Sequence, residues 1–116
     1  MADPLRGELW WVDWNPARGS EQTGRRPALV VQTDPANRNQ RYPNTIVVTV
    51  STSGRDVPSH VSLSPSPENG LSASSFVKCE QLLTISKERL SQRVGRIDAE
   101  DLSRVESALR IVLALN

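Results

Sequence analysis

Six arginines fall between positions 18 and 55: Arg18, Arg25, Arg26, Arg38, Arg41 and Arg55. Two acids, Glu21 and Asp34, oppose them, a local excess of four positive charges in a chain whose formal net charge is only +1. A guanidinium is planar, always charged, and able to bind two phosphate oxygens at once. The cluster therefore suits a phosphate-bearing ligand, although a general preference for Arg over Lys gives the same composition; Lys78 and Lys87 are the only lysines. Arg26 is well placed to hold phosphate. It is fixed between Arg25 and Pro27, where a polar loop gives way to an apolar strand. Phosphate chemistry on such a residue would be electrostatic, with the cation stabilising charge that develops on the reacting oxygens.

Other reactive side chains are few. Cys79 is the only cysteine and His60 the only histidine. A lone cysteine forms no intrachain disulfide and no Cys-based metal site. It lies in the apolar run Phe76-Val77-Lys78-Cys79-Glu80 and reads as a small buried hydrophobe. His60 is the one group whose ordinary pKa is near neutrality, so an acid–base pair of histidines within one chain is excluded. The carboxylates are scattered; Asp98, Glu100 and Asp101 read as a helix start rather than a metal site. No metal and no cofactor are expected.

The elements that must position these residues are mostly short strands. Gly7 to Trp14 reads as a first strand and holds all three tryptophans, Trp10, Trp11 and Trp14. These read as core or interface residues, with Trp10 or Trp14 also able to stack on a base or a partner chain. A long polar loop, Asn15 to Pro27, follows. Strands are expected at Ala28 to Gln32, Thr45 to Val50, His60 to Leu63 and Phe76 to Ile85, with a short closing strand at Gln92 to Ile97. Ser51 to Pro58 and Ser64 to Ser75 read as loops, as does Asn37 to Asn44, which carries Arg38, Arg41 and Tyr42 to solvent. Lys87 to Leu90 fits one helical turn. Asp98 then caps an amphipathic helix whose Leu102, Val105, Leu109 and Val112 recur at helical spacing. Many short strands followed by one helix predict a mainly β fold, a small SH3-like barrel with an appended helix.

The chain has 116 residues, 37% apolar and 23% charged, which fits one globular domain over 1–116 and leaves a paired assembly as a reasonable expectation. Met1-Ala2-Asp3-Pro4 offers neither the basic start nor the apolar core of a leader peptide. No apolar run approaches the ~18 residues of a membrane span, so the cytoplasm is the expected location.

Two stretches go beyond a generic barrel. Gly7-Glu8-Leu9-Trp10-Trp11-Val12-Asp13-Trp14-Asn15-Pro16 leads into Gly19-Ser20-Glu21-Gln22-Thr23-Gly24-Arg25-Arg26-Pro27. Glu80-Gln81 is followed by Leu82-Leu83-Thr84-Ile85. Both closely resemble the MazF/PemK/Kid family, the resemblance running from about Arg6 to the final helix. It implies a CcdB/MazF-type barrel that forms a two-fold homodimer. It also implies a toxin of a type II toxin–antitoxin system that cuts single-stranded RNA without metal and is blocked by the peptide tail of a cognate antitoxin.

Metal-free cleavage of RNA can use the RNA's own 2′-hydroxyl, which attacks the adjacent phosphorus to give a 2′,3′-cyclic phosphate and a 5′-hydroxyl. The resemblance makes Arg26 the central catalytic residue, a phosphate clamp first and a proton donor second, since guanidinium stays charged. Glu21 is either the proton acceptor or an ion pair that shapes the loop. The family's usual threonine falls here on Ser51, with Thr52 beside it. Serine keeps the hydroxyl but loses the methyl that stiffens the rotamer. Arg18, Arg25 and Arg55 are assigned to backbone phosphates, with Ser20 and Thr52 as further polar contacts. Gln22 and Gln81 are assigned to base edges. His60 is either a partly exposed strand start or an RNA contact. A CcdB-like gyrase-targeting toxin and a non-catalytic RNA- or protein-binding barrel are the competing readings; the loop ending in Arg26 favours the nuclease over gyrase binding.

Overall fold

The structure, a computed structural model, describes residues 3–14 and 25–116. Strands β1 (Glu8–Asp13), β2 (Arg25–Val30), β3 (Asn44–Ser51), β4 (His60–Leu63), β5 (Ser75–Ser86) and β6 (Leu90–Arg96) form one sheet in the order β4-β5-β3-β2-β1-β6. Every pairing is antiparallel. Two helices complete the set, α1 (Asp34–Arg38) and α2 (Ala99–Val112), with a 3₁₀ turn at Lys87–Arg89. The expected strands, the single turn at Lys87 and the terminal helix are present, but β2 starts at Arg25, within the expected loop, where pairing with Asp13 to Trp11 of β1 extends it, and ends at Val30 rather than Gln32. No helix among the described residues is long and apolar enough to cross a membrane.

Alternation of side chains along the strands sorts the apolar residues onto two faces. Leu29 and Val48 join Leu9, Val50, Leu63, Val77 and Cys79 in one cluster. Their neighbours Ala28, Val30 and Val47 join Val12, Trp14, Ile85 and Leu90 in another. Burial on both faces explains why β3 reads as a nearly continuous Val-Thr run. Helix α2 seals the first cluster with Val105 and Ala108, supported by Leu102, Leu109 and Val112. Its start is capped as expected: Asp98 Oδ1 accepts the Asp101 N–H at 2.7 Å. Arg104 ties the helix to β4, donating to the Ser62 carbonyl at 3.0 Å.

The strongly curved sheet nearly closes on itself. The Arg96 N–H, at the end of β6, donates to the Glu68 carbonyl at 2.8 Å, in the segment that follows β4. Asn69, almost fully buried, holds that segment: its Oδ1 accepts from Ser66 N and Leu71 N, each at 3.0 Å, and its Nδ2 donates to the Ser64 carbonyl at 2.8 Å. Gly70 adopts φ +68°, a left-handed value suited to glycine.

One expectation needs correction. Asp34–Arg38 is a short helix, and Asn37 is fully buried rather than part of a solvated loop. Asn37 Oδ1 accepts from Gln32 Nε2 at 3.0 Å and from Thr45 Oγ1 at 2.8 Å, while its Nδ2 donates to the Gln32 carbonyl at 2.9 Å. Lys87, 2% exposed, caps the same helix from below. Its Nζ donates to the carbonyls of Asn37 at 2.8 Å, Asn39 at 3.2 Å and Ala36 at 3.4 Å. A cation at a helix C-terminus meets carbonyls that have no partner within the helix. Arg38, Arg41 and Tyr42 do face solvent.

Two predictions follow from this polar plug. Lys87→Met leaves three carbonyls, that of Asn37 buried and those of Ala36 and Asn39 partly so, short of a donor and is expected to lower the free energy of unfolding by about 1–3 kcal/mol. Ser103→Ala, on the exposed side of α2, should stay within about 0.5 kcal/mol in the same urea titration. Asp34 sets an acid limit. Its Oδ1 accepts the Arg6 N–H at 2.7 Å, and this bond, assisted by Asn37 and only partly opposed by burial, holds its carboxyl below the ordinary 3.8. The folded state therefore releases this proton more readily than the unfolded chain. The stabilisation is complete above the unfolded value and disappears as pH falls through the folded one. Asp34→Asn should flatten the dependence of the urea midpoint on pH between about pH 5 and pH 2.

Candidate functional site

The ends of β2 and β3 lie beside each other because β2 pairs with β3 through Ala28↔Thr49. Beyond that pair, Arg25 and Arg26 project from the start of β2, and Ser51 and Thr52 from the end of β3. All four line an open pocket of about 260 Å³. Trp11 and Val94 contribute from β1 and β6, and the Gly70–Ser75 segment supplies further lining. The described lining carries two arginines and no carboxylate. Arg26 and Thr52 are exposed and Ser51 is half-buried, so an incoming ligand reaches them. Ser51 also organises its own turn, its Oγ accepting the Ser53 N–H at 3.1 Å.

The pocket wall depends on a close approach of backbones. A Cβ on Gly70 would stand 2.1 Å from the Val94 carbonyl oxygen, and one on Gly95 2.4 Å from the Asn69 carbonyl. Only glycine fits at either position. The sequence marked Asn69-Gly70 as loop punctuation; its role as a wall of the site, like that of Trp11, had no signal in residue type or spacing.

Three other expected contacts, Arg55, His60 and Gln81, do not line this pocket. The Arg55 N–H donates to His60 Nδ1 at 3.0 Å, and His60 Nε2 lies 2.9 Å from Glu80 Oε2. Because Nδ1 accepts, the ring proton belongs on Nε2, facing Glu80. Both ring nitrogens of His60 are thus engaged within the protein. Burial pushes the Glu80 carboxyl up, but the His60 hydrogen bond and the further bonds around it outweigh this and hold it below the usual 4.5. Gln81 Oε1 accepts a hydrogen bond from Thr49 Oγ1. Gln81 sits in a bulge, not a regular strand: the β3–β5 register passes from Val48↔Leu82 to Thr49↔Lys78, leaving Cys79, Glu80 and Gln81 without β3 partners. Gln81 is exposed there. Cys79 is fully buried as expected, and burial, reinforced by the neighbouring Glu80 charge, pushes its thiol up to about 11. Such a thiol is a poor nucleophile.

Glu21, Arg18, Ser20 and Gln22 lie outside the described residues. Among the described residues, no group of three His, Cys, Asp or Glu side chains converges as a metal site.

The model of the PemK-like, MazF-like toxins of type II toxin–antitoxin systems matches residues 5–113. The chain is 40% identical over 114 residues to the Mycobacterium tuberculosis protein named endoribonuclease MazF9, covering 95% of this chain and 96% of that one. It is 36% identical over 110 residues to endoribonuclease EndoA of Bacillus subtilis, with 95% and 94% covered. A solved mycobacterial endoribonuclease in complex with its cognate antitoxin superposes with a TM-score of 0.81 at 25% identity, over 97% of each chain. The structure of MazF from Deinococcus radiodurans gives 0.81 at 26% identity, over 99% of this chain and all of that one.

The glycine contact gives a direct test. Gly95→Ala forces two backbones apart and is expected to cost about 1–3 kcal/mol of stability. The Arg96 amide, which bonds to Glu68 across this contact, should lose hydrogen-exchange protection. An Arg96 amide as protected as before would show that the backbones do not meet there.

Proposed function

The chain belongs to the PemK-like, MazF-like toxins of type II toxin–antitoxin systems, and from that membership we propose that it is a sequence-specific, metal-independent endoribonuclease acting on single-stranded RNA. The observation that carries this reading is the pocket itself. Arg25 and Arg26 share it with Ser51 and Thr52, in a lining with no described carboxylate. A phosphodiester is attracted there, and a carboxylate-bearing peptide group would be too.

In the proposed reaction the ribose 2′-oxygen bonds to the adjacent phosphorus as the bond to the 5′-oxygen breaks. The 2′-hydroxyl gives up its proton, and the departing 5′-oxygen gains one. The products are a 2′,3′-cyclic phosphate and a 5′-hydroxyl. Arg26 binds the non-bridging oxygens and stabilises the charge that builds on them. Ser51, or Thr52 beside it, donates a hydrogen bond to the same phosphate. Glu21 is the proposed proton acceptor. Arg18, Arg25 and Arg55 follow the RNA backbone, with Ser20 and His60 at its margin. Gln22 and Gln81 read base edges, which single strands expose.

The same reading includes a two-fold homodimer whose loops frame the RNA groove, one domain over 1–116, and a cytoplasmic setting. A mycobacterial relative was solved with its antitoxin; here too an antitoxin tail is proposed to cover the basic pocket and exclude RNA.

Purified protein mixed with a long RNA in excess EDTA tests the core of this. Discrete cuts ending in cyclic phosphate and 5′-hydroxyl are expected. Arg26→Ala should slow them by about a hundredfold or more while leaving the fold intact. Intact RNA in a folded, antitoxin-free sample would overturn the nuclease reading and direct attention to gyrase.

A further inference from the structure

Arg25 is held in an unusual way for an exposed arginine. Its register partner in β1 is Asp13, yet its guanidinium carbon lies 4.9 Å from the Trp11 ring centroid, and its Nη2 donates to Gln92 Oε1 at 2.9 Å. Trp11 pairs with Pro27 on β2 and with Gln92 on β6. Since Arg25 is two residues from Pro27, the period of the strand places all three side chains on one face. Both partners are electrically neutral. An indole face attracts a cation through its quadrupole, and an amide oxygen accepts one N–H. Neither cancels the charge.

Three other arginines are held by acids instead. Arg6, Arg93 and Arg104 each pair with a carboxylate, of Glu106, Glu8 and Asp101. Their charge is answered within the protein. Arg25 is fixed in place with no carboxylate partner among the described residues, at the edge of a pocket that both it and Trp11 line.

Resting on the nuclease reading above, we propose that Trp11 and Gln92 are positioning residues for Arg25, holding its guanidinium ready to bind the RNA backbone beside the scissile phosphate. An untethered arginine would have to give up side-chain freedom on binding. The stack on Trp11 and the bond to Gln92 remove much of that loss beforehand.

The test is a double-mutant cycle on binding. The probe is a labelled random-sequence 2′-O-methyl RNA, which offers no free 2′-hydroxyl and stays intact. Trp11→Leu is expected to weaken binding by about fivefold, the order of an exposed cation–aromatic contact. Trp11→Phe keeps an aromatic face and should restore most of the affinity. In an Arg25→Met background, Trp11→Leu and Gln92→Ala should each change nothing further. Gln92 is exposed, so its variant probes the same coupling without disturbing the core. Losses that add in the Arg25→Met background, or equal losses from Trp11→Phe and Trp11→Leu, would overturn the proposal. If the unaltered protein cuts long RNA in EDTA but its affinity ignores Trp11 and Gln92, only this proposal fails. If the unaltered protein neither cuts nor binds RNA, the nuclease reading fails with it.

Discussion

Two stretches of backbone touch where Asn69 and Gly70 meet Val94 and Gly95, and neither glycine could carry a Cβ there. That contact draws the segment after β4 onto β6, the strand at the far end of the sheet. Without it the six strands would form an open, curved sheet with an exposed edge on each side. With it, the Glu68–Arg96 hydrogen bond joins the two ends, and the Gly70–Ser75 segment lines the same pocket as Arg26. The pocket is therefore a product of closure. Its cations come from one part of the sheet and the Gly70–Ser75 lining from another, and only the glycines let the backbones meet this closely.

Polar groups are handled differently inside the fold and at the pocket. The interior satisfies most of its buried polar atoms internally, Trp14 Nε1 being the exception among the described residues. Asn37 bonds with Gln32 and Thr45, and Lys87 reaches three carbonyls. Glu8, almost buried, accepts from the Leu5 N–H, Trp10 Nε1 and Arg93 Nε. Each group offsets its desolvation through bonds made within the chain. The described pocket lining has no acid to answer its arginines. Positive charge left unanswered in a concave surface is held ready for an anionic ligand. Arg25 shows how such a charge can be immobilised by neutral neighbours.

The legible parts of the sequence were those in which one local interaction decides the outcome. Alternation placed the strands, and the cap at Asp98 placed α2. Arg26, Ser51 and Thr52 were readable as candidates because a loop-to-strand boundary and a strand end mark them. Three features escaped. Helix α1 follows Thr33, carries Pro35 in its first turn and spans only five residues, too short for periodicity to show. Asn37 looks like a loop residue because its partners, Thr45 and Lys87, are distant in sequence. Glu80 and Gln81 read as regular strand, since a bulge exists only relative to a partner's register.

The amino-acid sequence by itself determined the class of fold, the family, and the arginine-rich character of the site. These follow from patterns carried by consecutive residues: period-two alternation, the run from Gly19 to Pro27, and the excess of Arg over acid between positions 18 and 55. Tertiary structure alone decided which of those arginines share a pocket, and what faces them. Arg25 and Arg26 meet Ser51 and Thr52, while Arg55 contributes its backbone to a His60–Glu80 group instead. The reason is physical. Strand register and barrel closure depend on hydrogen bonds and steric contacts between distant segments, such as Gly95 against Asn69, and no local pattern records which segments will meet.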